Sequence, residues 1–231
     1  MTRDIVLLPG FMLTAGLWDD MRDGLARLGR LHFGDIGQDD TIAAMAARVL
    51  QQAPPQFVLL GFSMGGFVAQ AMALQAPDRV QGLALLNTSS RPPSAMESAA
   101  LQEQIALASR LPFKGLTSRK LASSLHPDRA DDRVLLARLQ AMALHNGKDV
   151  FLHQLAALRD DSVAALEQIA CPALIVAARE DRLRTVEESE EMAQRMPKAM
   201  FRILEDSGHM TPMEQPLRLQ MLLDEWLGLE R

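Results

Sequence analysis

The feature that most constrains this chain is a short apolar run that ends in a serine set between glycines. Phe57-Val58-Leu59-Leu60 is apolar on both faces, Gly61-Phe62-Ser63-Met64-Gly65-Gly66 follows, and Phe67 to Leu74 reads as a helix. A strand that turns so abruptly into a helix lifts the serine clear of the sheet and holds its backbone in a strained conformation. Glycines suit positions 61 and 65 because side chains there would collide across the turn. The helix also points its first N–H groups toward Ser63, so the Met64 N–H is placed to meet negative charge developing at that site. A bare Gly-x-Ser-x-Gly occurs by chance in many proteins. The strand before it, the helix after it and the order of residues downstream give it weight here.

The surrounding pattern is that of a parallel sheet. Ile5-Val6-Leu7-Leu8 is a buried strand broken by Pro9-Gly10, and Trp18 to Leu28 carries apolar residues at helical spacing. Leu31-His32-Phe33 is a short strand, and Thr41 caps a helix over Ile42 to Leu50. After the serine turn and its helix comes a further buried strand, Val80 to Leu86. Strand and helix alternate throughout, which implies parallel strands with helices on both faces. From Ser94 to about Leu166 the sequence reads as several helices with no strand, broken near Leu111-Pro112, His126-Pro127 and Asn146-Gly147. The alternation then resumes with a strand Ala173 to Ala178, a helix Val186 to Met196, a strand Met200 to Leu204 and a final helix from Pro216 to Leu227. The expectation is one domain over 1–231, with about six mostly parallel strands and a helical insertion over about 90–166. Its C-terminal Trp226-Leu227-Gly228-Leu229 reads equally as core or as a small dimer contact.

Composition excludes several functions. A net charge of -5 leaves no basic footprint for nucleic acid. The run at Ile5 is too short and too soon interrupted for a signal peptide, and no stretch approaches the roughly 20 apolar residues of a membrane span. The single cysteine, Cys171, forbids an internal disulfide and suits a reducing compartment, so a cytoplasmic location is expected. His32, His126, His145 and His153 lack metal-ligand spacing, and neither a metal nor an organic cofactor is implied. The expected partner is a small-molecule substrate, with the chain a monomer or homodimer that binds neither nucleic acid nor membrane.

Ser63, Asp181 and His209 follow one another in that order, each just past the carboxyl end of an expected strand. In an open parallel sheet those ends share one rim, where residues distant in sequence converge. A serine hydroxyl needs a base to become a nucleophile, and a histidine held by a carboxylate supplies one. Asp206 and Glu180 are the rival carboxylates for orienting His209. Asn87, at the end of the Val80 strand, is an amide and cannot serve as the acid.

On these residues the chain resembles the α/β-hydrolase fold family. The resemblance rests on Gly61-Phe62-Ser63-Met64-Gly65-Gly66, on the acid in Ala178-Arg179-Glu180-Asp181, on Ser207-Gly208-His209, and on Leu7-Leu8-Pro9-Gly10-Phe11 with Trp18 beyond it. It implies that Ser63, Asp181 and His209 act together and that the N–H groups of Phe11 and Met64 form an oxyanion hole. It implies also that the helical insertion is a lid. Pro9 stands where many members carry a histidine that braces this loop, and Gly34 to Asp40 lacks the usual arginine-glycine-histidine-glycine stretch. The antiparallel strands that open larger members are missing, so a trimmed version is expected.

The implied activity is hydrolysis of a small carboxylic ester or thioester through an acyl-enzyme. The alternatives are a carbon–carbon bond hydrolase or lyase and a cofactor-free perhydrolase on the same fold. From another class comes a ligand-binding, receptor-like protein with vestigial turnover. Met12, Phe62, Met210 and Met213 flank the catalytic loops and are candidates for an apolar acyl pocket. The insertion arginines Arg91, Arg110, Arg119, Arg129, Arg133 and Arg138 read either as solvated helix faces or as recognition of an anionic substrate group.

Overall fold

The computed structural model describes residues 3–157 and 162–228. Six strands form one sheet in the order β2-β1-β3-β4-β5-β6, with every neighbouring pair parallel. They are β1 (Asp4–Leu8), β2 (Arg30–Phe33), β3 (Phe57–Phe62), β4 (Val80–Leu86), β5 (Ala173–Ala178) and β6 (Ala199–Leu204). The central strands β3 and β5 are buried along their whole length, because helices cover both faces. Edge strand β2 stays partly exposed.

The helices are α1 (Arg22–Leu28), α2 (Ile42–Gln52), α3 (Met64–Gln75), α4 (Ala95–Arg110), α5 (Ser118–Ala122), α6 (Arg133–Ala156), α7 (Val186–Arg195), α8 (Thr211–Glu214) and α9 (Pro216–Trp226). One core lies under α2, α3 and α7, with Met45, Phe67, Val68 and Met192 against Leu8, Leu59 and Ile175. The opposite core takes Trp18, Leu25, Leu219 and Leu223 against Ile5, Leu60 and Leu174. It extends without a break into Leu121, Leu125, Leu135 and Leu139 of the segment between β4 and β5. That segment carries α4, α5 and α6 and, among its described residues, no strand; residues 158–161 of the expected insertion and Leu229 lie outside the described residues.

Three local features differ from the sequence expectation. The span expected as one helix from Trp18 begins as a 3₁₀ turn, Ala15–Met21, whose start is capped by Thr14, and becomes α-helical only at Arg22. The break expected at Asn146-Gly147 is a kink inside α6, where Gly147 takes φ 75° at no steric cost for want of a Cβ. Ahead of the last helix sits the separate four-residue α8, with Pro212 in its first turn, where a proline's missing N–H costs nothing. Among the described residues no helix is long and apolar enough to cross a membrane.

The chain leaves β1 toward β2 on one side and continues from β3 toward β6 on the other, so the order reverses between β1 and β3. Loops leaving the carboxyl ends of two such strands diverge and open a crevice. Here helix α3 starts against β1: a Cβ on Gly65 would strike the Leu8 and Pro9 carbonyl oxygens. A Cβ on Gly61 would lie 2.5 Å from the Gly65 oxygen and 2.7 Å from the Ala69 Cβ. Since backbone cannot yield as a flexible side chain does, Gly61→Ala should destabilise the fold by about 1–3 kcal/mol. A lowered urea midpoint with unchanged m would show it, and a midpoint equal to wild type would contradict the tight packing.

Candidate active site

At the crevice the turn after β3 places Ser63 at φ 50° and ψ -113°, a conformation that costs a non-glycine residue on the order of 1–3 kcal/mol. Surrounding bonds over-determine it. The Ser63 N–H donates to Leu86 O at 2.9 Å, while Ser63 O accepts from Gly66 N at 2.9 Å and from the Thr88 hydroxyl at 2.7 Å. The next loop, after β4, contributes Asn87, itself at φ 47°.

Asp181 lies beyond β5 and His209 beyond β6, both almost wholly buried. His209 Nε2 stands 2.8 Å from Ser63 Oγ, and Nδ1 stands 2.7 Å from Asp181 Oδ2. The other Asp181 oxygen accepts the Leu183 and Arg184 N–H groups at 2.8 and 3.0 Å. Asn87 Nδ2 adds a bond of 3.0 Å to Oδ2, and the Thr211 hydroxyl donates to Asn87 Oδ1 at 2.7 Å. The amide is therefore an orienting partner of the acid, held in place from α8, a role that sequence reasoning missed when it set Asn87 aside. Burial pushes the Asp181 carboxyl up, but His209, Asn87 and the Leu183 N–H outweigh it and hold it below the usual carboxylate range. The rival carboxylates are engaged elsewhere: Glu180 accepts the Ser207 N–H at 3.1 Å, and Asp206 pairs with Arg218 at 3.2 Å.

The loop after β1 faces Ser63 from across the crevice. Met12 takes φ 57°, and its N–H donates to Gln154 Oε1 at 2.8 Å, while Gln154 Nε2 reaches Ile36 O at 3.3 Å. Asn146 Nδ2 donates to Leu13 O at 3.1 Å. The loop that carries Pro9 is thus braced by two amides of α6. Nothing in the sequence marked Gln154 for this, because its partners lie more than a hundred residues away. Of the sequence candidates for the oxyanion donors, Met64 opens α3 directly after Ser63, and Phe11 lies in the loop after β1 and lines the same cavity as Ser63. Among the described residues neither N–H has a protein acceptor.

A cavity of about 450 Å³ opens on Ser63 and His209. Phe11, Phe62 and Met210 line it, together with Leu101, Leu121, Leu139 and Leu155 from the insertion. Met12 and Met213, expected at this pocket, are packed away from it. Met12 is wholly buried against Phe151 and Leu155, and Met213 belongs to the core on the α9 face of the sheet. Met213 is buried on α8. None of the six insertion arginines lines the cavity; Arg91, Arg129 and Arg138 pair with Glu191, Asp132 and Asp20. The cations on its wall are Lys120 and Arg184. Among the described residues no cluster of His, Cys, Asp or Glu has the makings of a metal site. Cys171 is partly buried, and burial pushes its thiol up, away from the reactive thiolate.

A serine bonded to a buried imidazole, itself bonded to a carboxylate, can deliver a nucleophile to an acyl group in the cavity and shuttle its proton. Comparison with known proteins gives the same direction. The chain matches the model of the alpha/beta hydrolase family over residues 5–219. It is 45% identical over 94 residues to the pimeloyl-(acyl-carrier protein) methyl ester esterase of Yersinia enterocolitica, a stretch that covers 37% of this chain and 36% of that protein. The enzyme of the same name from Klebsiella pneumoniae is 43% identical over 93 residues. The match thus spans just over a third of these relatives' length. Among solved structures, a thermophilic esterase from Thermogutta terrifontis superposes with a TM-score of 0.85 at 28% identity, covering 98% of this chain and 90% of that one. An enol-lactonase from Burkholderia xenovorans shares the fold, with a TM-score of 0.84 at 21% identity over 99% of this chain and 92% of that one.

The lowered Asp181 pKa has a consequence for stability. A carboxylate whose folded value lies below its unfolded value of about 3.9 adds stability above that pH and loses it as pH falls through the folded value. Asp181→Asn should therefore shed less stability than wild type as urea unfolding is followed downward from about pH 6 through the carboxylate range. Parallel pH dependences for the two proteins would contradict the assignment.

Proposed function

The chain belongs to the alpha/beta hydrolase family, and on that premise we propose that it hydrolyses a small carboxylic ester or thioester through an acyl-enzyme on Ser63. The observation that carries this reading is the unbroken chain of hydrogen bonds from Ser63 Oγ through His209 to Asp181, 2.8 and 2.7 Å long, at the floor of a largely apolar cavity. The methyl ester and esterase activities named in the relatives point to the same bond type.

In this mechanism Ser63 Oγ attacks the acyl carbon while His209 Nε2 takes its proton. The carbonyl electrons move onto oxygen, and the N–H groups of Phe11 and Met64 receive that charge. Such donors, already aimed when the charge develops, are worth about 3 kcal/mol each. Collapse of the tetrahedral species expels the alcohol or thiol, which leaves with the proton from Nε2. Water then enters by the same route: its oxygen bonds to the acyl carbon as His209 takes one of its protons, and the second tetrahedral species collapses with cleavage of the acyl–Ser63 bond, Ser63 recovering the proton from Nε2 as the carboxylic acid departs. Throughout, Asp181 remains a carboxylate and holds the Nδ1–H tautomer against the positive charge that comes and goes on the ring.

The insertion serves as a lid in this proposal. Its leucines exclude water from the acyl side of the cavity, which strengthens each electrostatic contact to the transition state. Lys120, Arg184 and Glu97 put charges of both signs on the wall, and Arg184 is paired with Glu188 at 3.3 Å.

A panel of activated esters and thioesters of increasing acyl length tests the proposal. Wild type should show an optimum length set by the cavity, and Ser63→Ala should lose on the order of a millionfold in kcat. No turnover of any ester, alongside rapid labelling of Ser63 by a phosphonate, would contradict the ester assignment and leave carbon–carbon substrates in front.

A further inference from the structure

The loop that carries His209 joins β6 to α8 with no regular structure of its own between Leu204 and Thr211. Its position is therefore set by bonds to groups outside it, and several of those bonds converge on one buried carboxylate. Glu214, at the end of α8, is 7% exposed. Its Oε1 accepts the Met210 N–H at 3.1 Å and its Oε2 accepts the His126 N–H at 2.7 Å. The Gly208 N–H also faces it and favours its charged form. Two of these donors flank His209 in sequence. The third belongs to the insertion, in the turn between α5 and α6.

That turn meets the histidine loop directly. The His209 N–H donates to Ser124 O at 2.9 Å, and a Cβ on Gly208 would strike the His126 nitrogen and the Leu125 carbonyl carbon. Arg129, three residues on, donates through Nη1 to the Glu214 carbonyl at 3.3 Å and pairs with Asp132. An uncharged side chain would not serve in Glu214's place. All three groups facing the carboxylate are donors, so both oxygens must accept, whereas an amide would set its own NH2 against an N–H. Burial pushes the Glu214 carboxyl above the usual carboxylate range, although the His126, Gly208 and Met210 N–H groups pull the other way.

We propose that Glu214 is a positioning residue that fastens the His209 loop to the Ser124–His126 turn, so that the base keeps its place against Ser63 only while the insertion is docked there. The inference rests on reading His209 as the base for Ser63. It adds that the insertion is a structural part of the catalytic apparatus as well as a cover for the cavity. The lid cannot swing away at the α5–α6 turn without releasing the histidine loop.

Glu214→Gln tests this in the whole enzyme. A group displaced by about 1 Å loses on the order of a hundredfold in rate, so kcat should fall about that much while KM changes by no more than about threefold. The labelling of Ser63 by a phosphonate should slow in parallel. The far-downfield proton signal of the His209 Nδ1–H bonded to Asp181, identified by its loss in Asp181→Asn, should shift or broaden. A carboxylate with only a packing role would lower the melting temperature and leave kcat of the folded enzyme and that proton signal unchanged, and this result would overturn the proposal. If Glu214→Gln does not fold, Glu214→Asp carries the same test, since it keeps both acceptor oxygens but withdraws them by one methylene. The proton signal needs no turnover. A wild type inert to esters and phosphonates would refute the reading of Ser63, whereas an unmoved signal in the variant would refute the fastening.

Discussion

Everything at the site depends on one strained turn, in which Ser63 holds φ 50° because the strand before it and the helix after it are pressed together. A free chain would relax from that conformation. Here Gly61 and Gly65 let α3 approach β3 and β1 more closely than any side chain would allow, and Thr88 closes over the Ser63 carbonyl from the loop after β4. The strain is local, and the buried sheet on either side offsets it. Its product is a hydroxyl raised above the carboxyl edge of the sheet, at the point where strand order reverses and adjacent loops part. The residues after β1, β4, β5 and β6 reach the same place because all the strands run in one direction.

A second layer of order comes from the insertion. Its apolar residues continue the core of the sheet, and its polar groups reach both sides of the crevice. Gln154 and Asn146 hold the β1 loop, and Ser124 and His126 hold the histidine loop. These ties are buried amides and carboxylates, which are costly to leave unpaired, so they fix the registry of the insertion more sharply than leucine contacts alone. Asn87 and Thr211 do the same for Asp181.

Much of this was legible in the sequence, and the reasons are physical. A strand buried on both faces is apolar throughout, so the central strands stand out, and the alternation of strand and helix forces parallel pairing. The serine turn announces itself through its glycines, and the order Ser63, Asp181, His209 through position at strand ends. What stayed hidden depends on contacts distant in sequence. Gln154 looks like any helix glutamine until Met12 is placed beside it, and Glu214 like any surface glutamate until the insertion folds over it. Met12 and Met213 were misplaced for a related reason: nearness to a catalytic residue in sequence says nothing of which way a side chain points. Met12 is packed with Phe151 and Leu155 beneath the insertion, a contact that its place in the sequence does not show. The 3₁₀ turn at Ala15–Met21 and the kink at Gly147 are likewise decided by tertiary packing, to which helical periodicity is blind.

The central claim is that these loops converge so that Ser63 attacks an acyl carbon, and two backbone N–H groups receive the negative charge of the tetrahedral intermediate that collapses to the acyl-enzyme. The crystal structure of the protein capped by an alkyl phosphonate, whose tetrahedral phosphorus mimics the intermediate, tests it most directly. The account predicts a single covalent bond to Ser63 Oγ, with the phosphoryl oxygen about 3 Å from both the Phe11 and the Met64 nitrogens and the alkyl chain under the insertion. A label on any other residue, or a phosphoryl oxygen turned away from those two N–H groups, would contradict it.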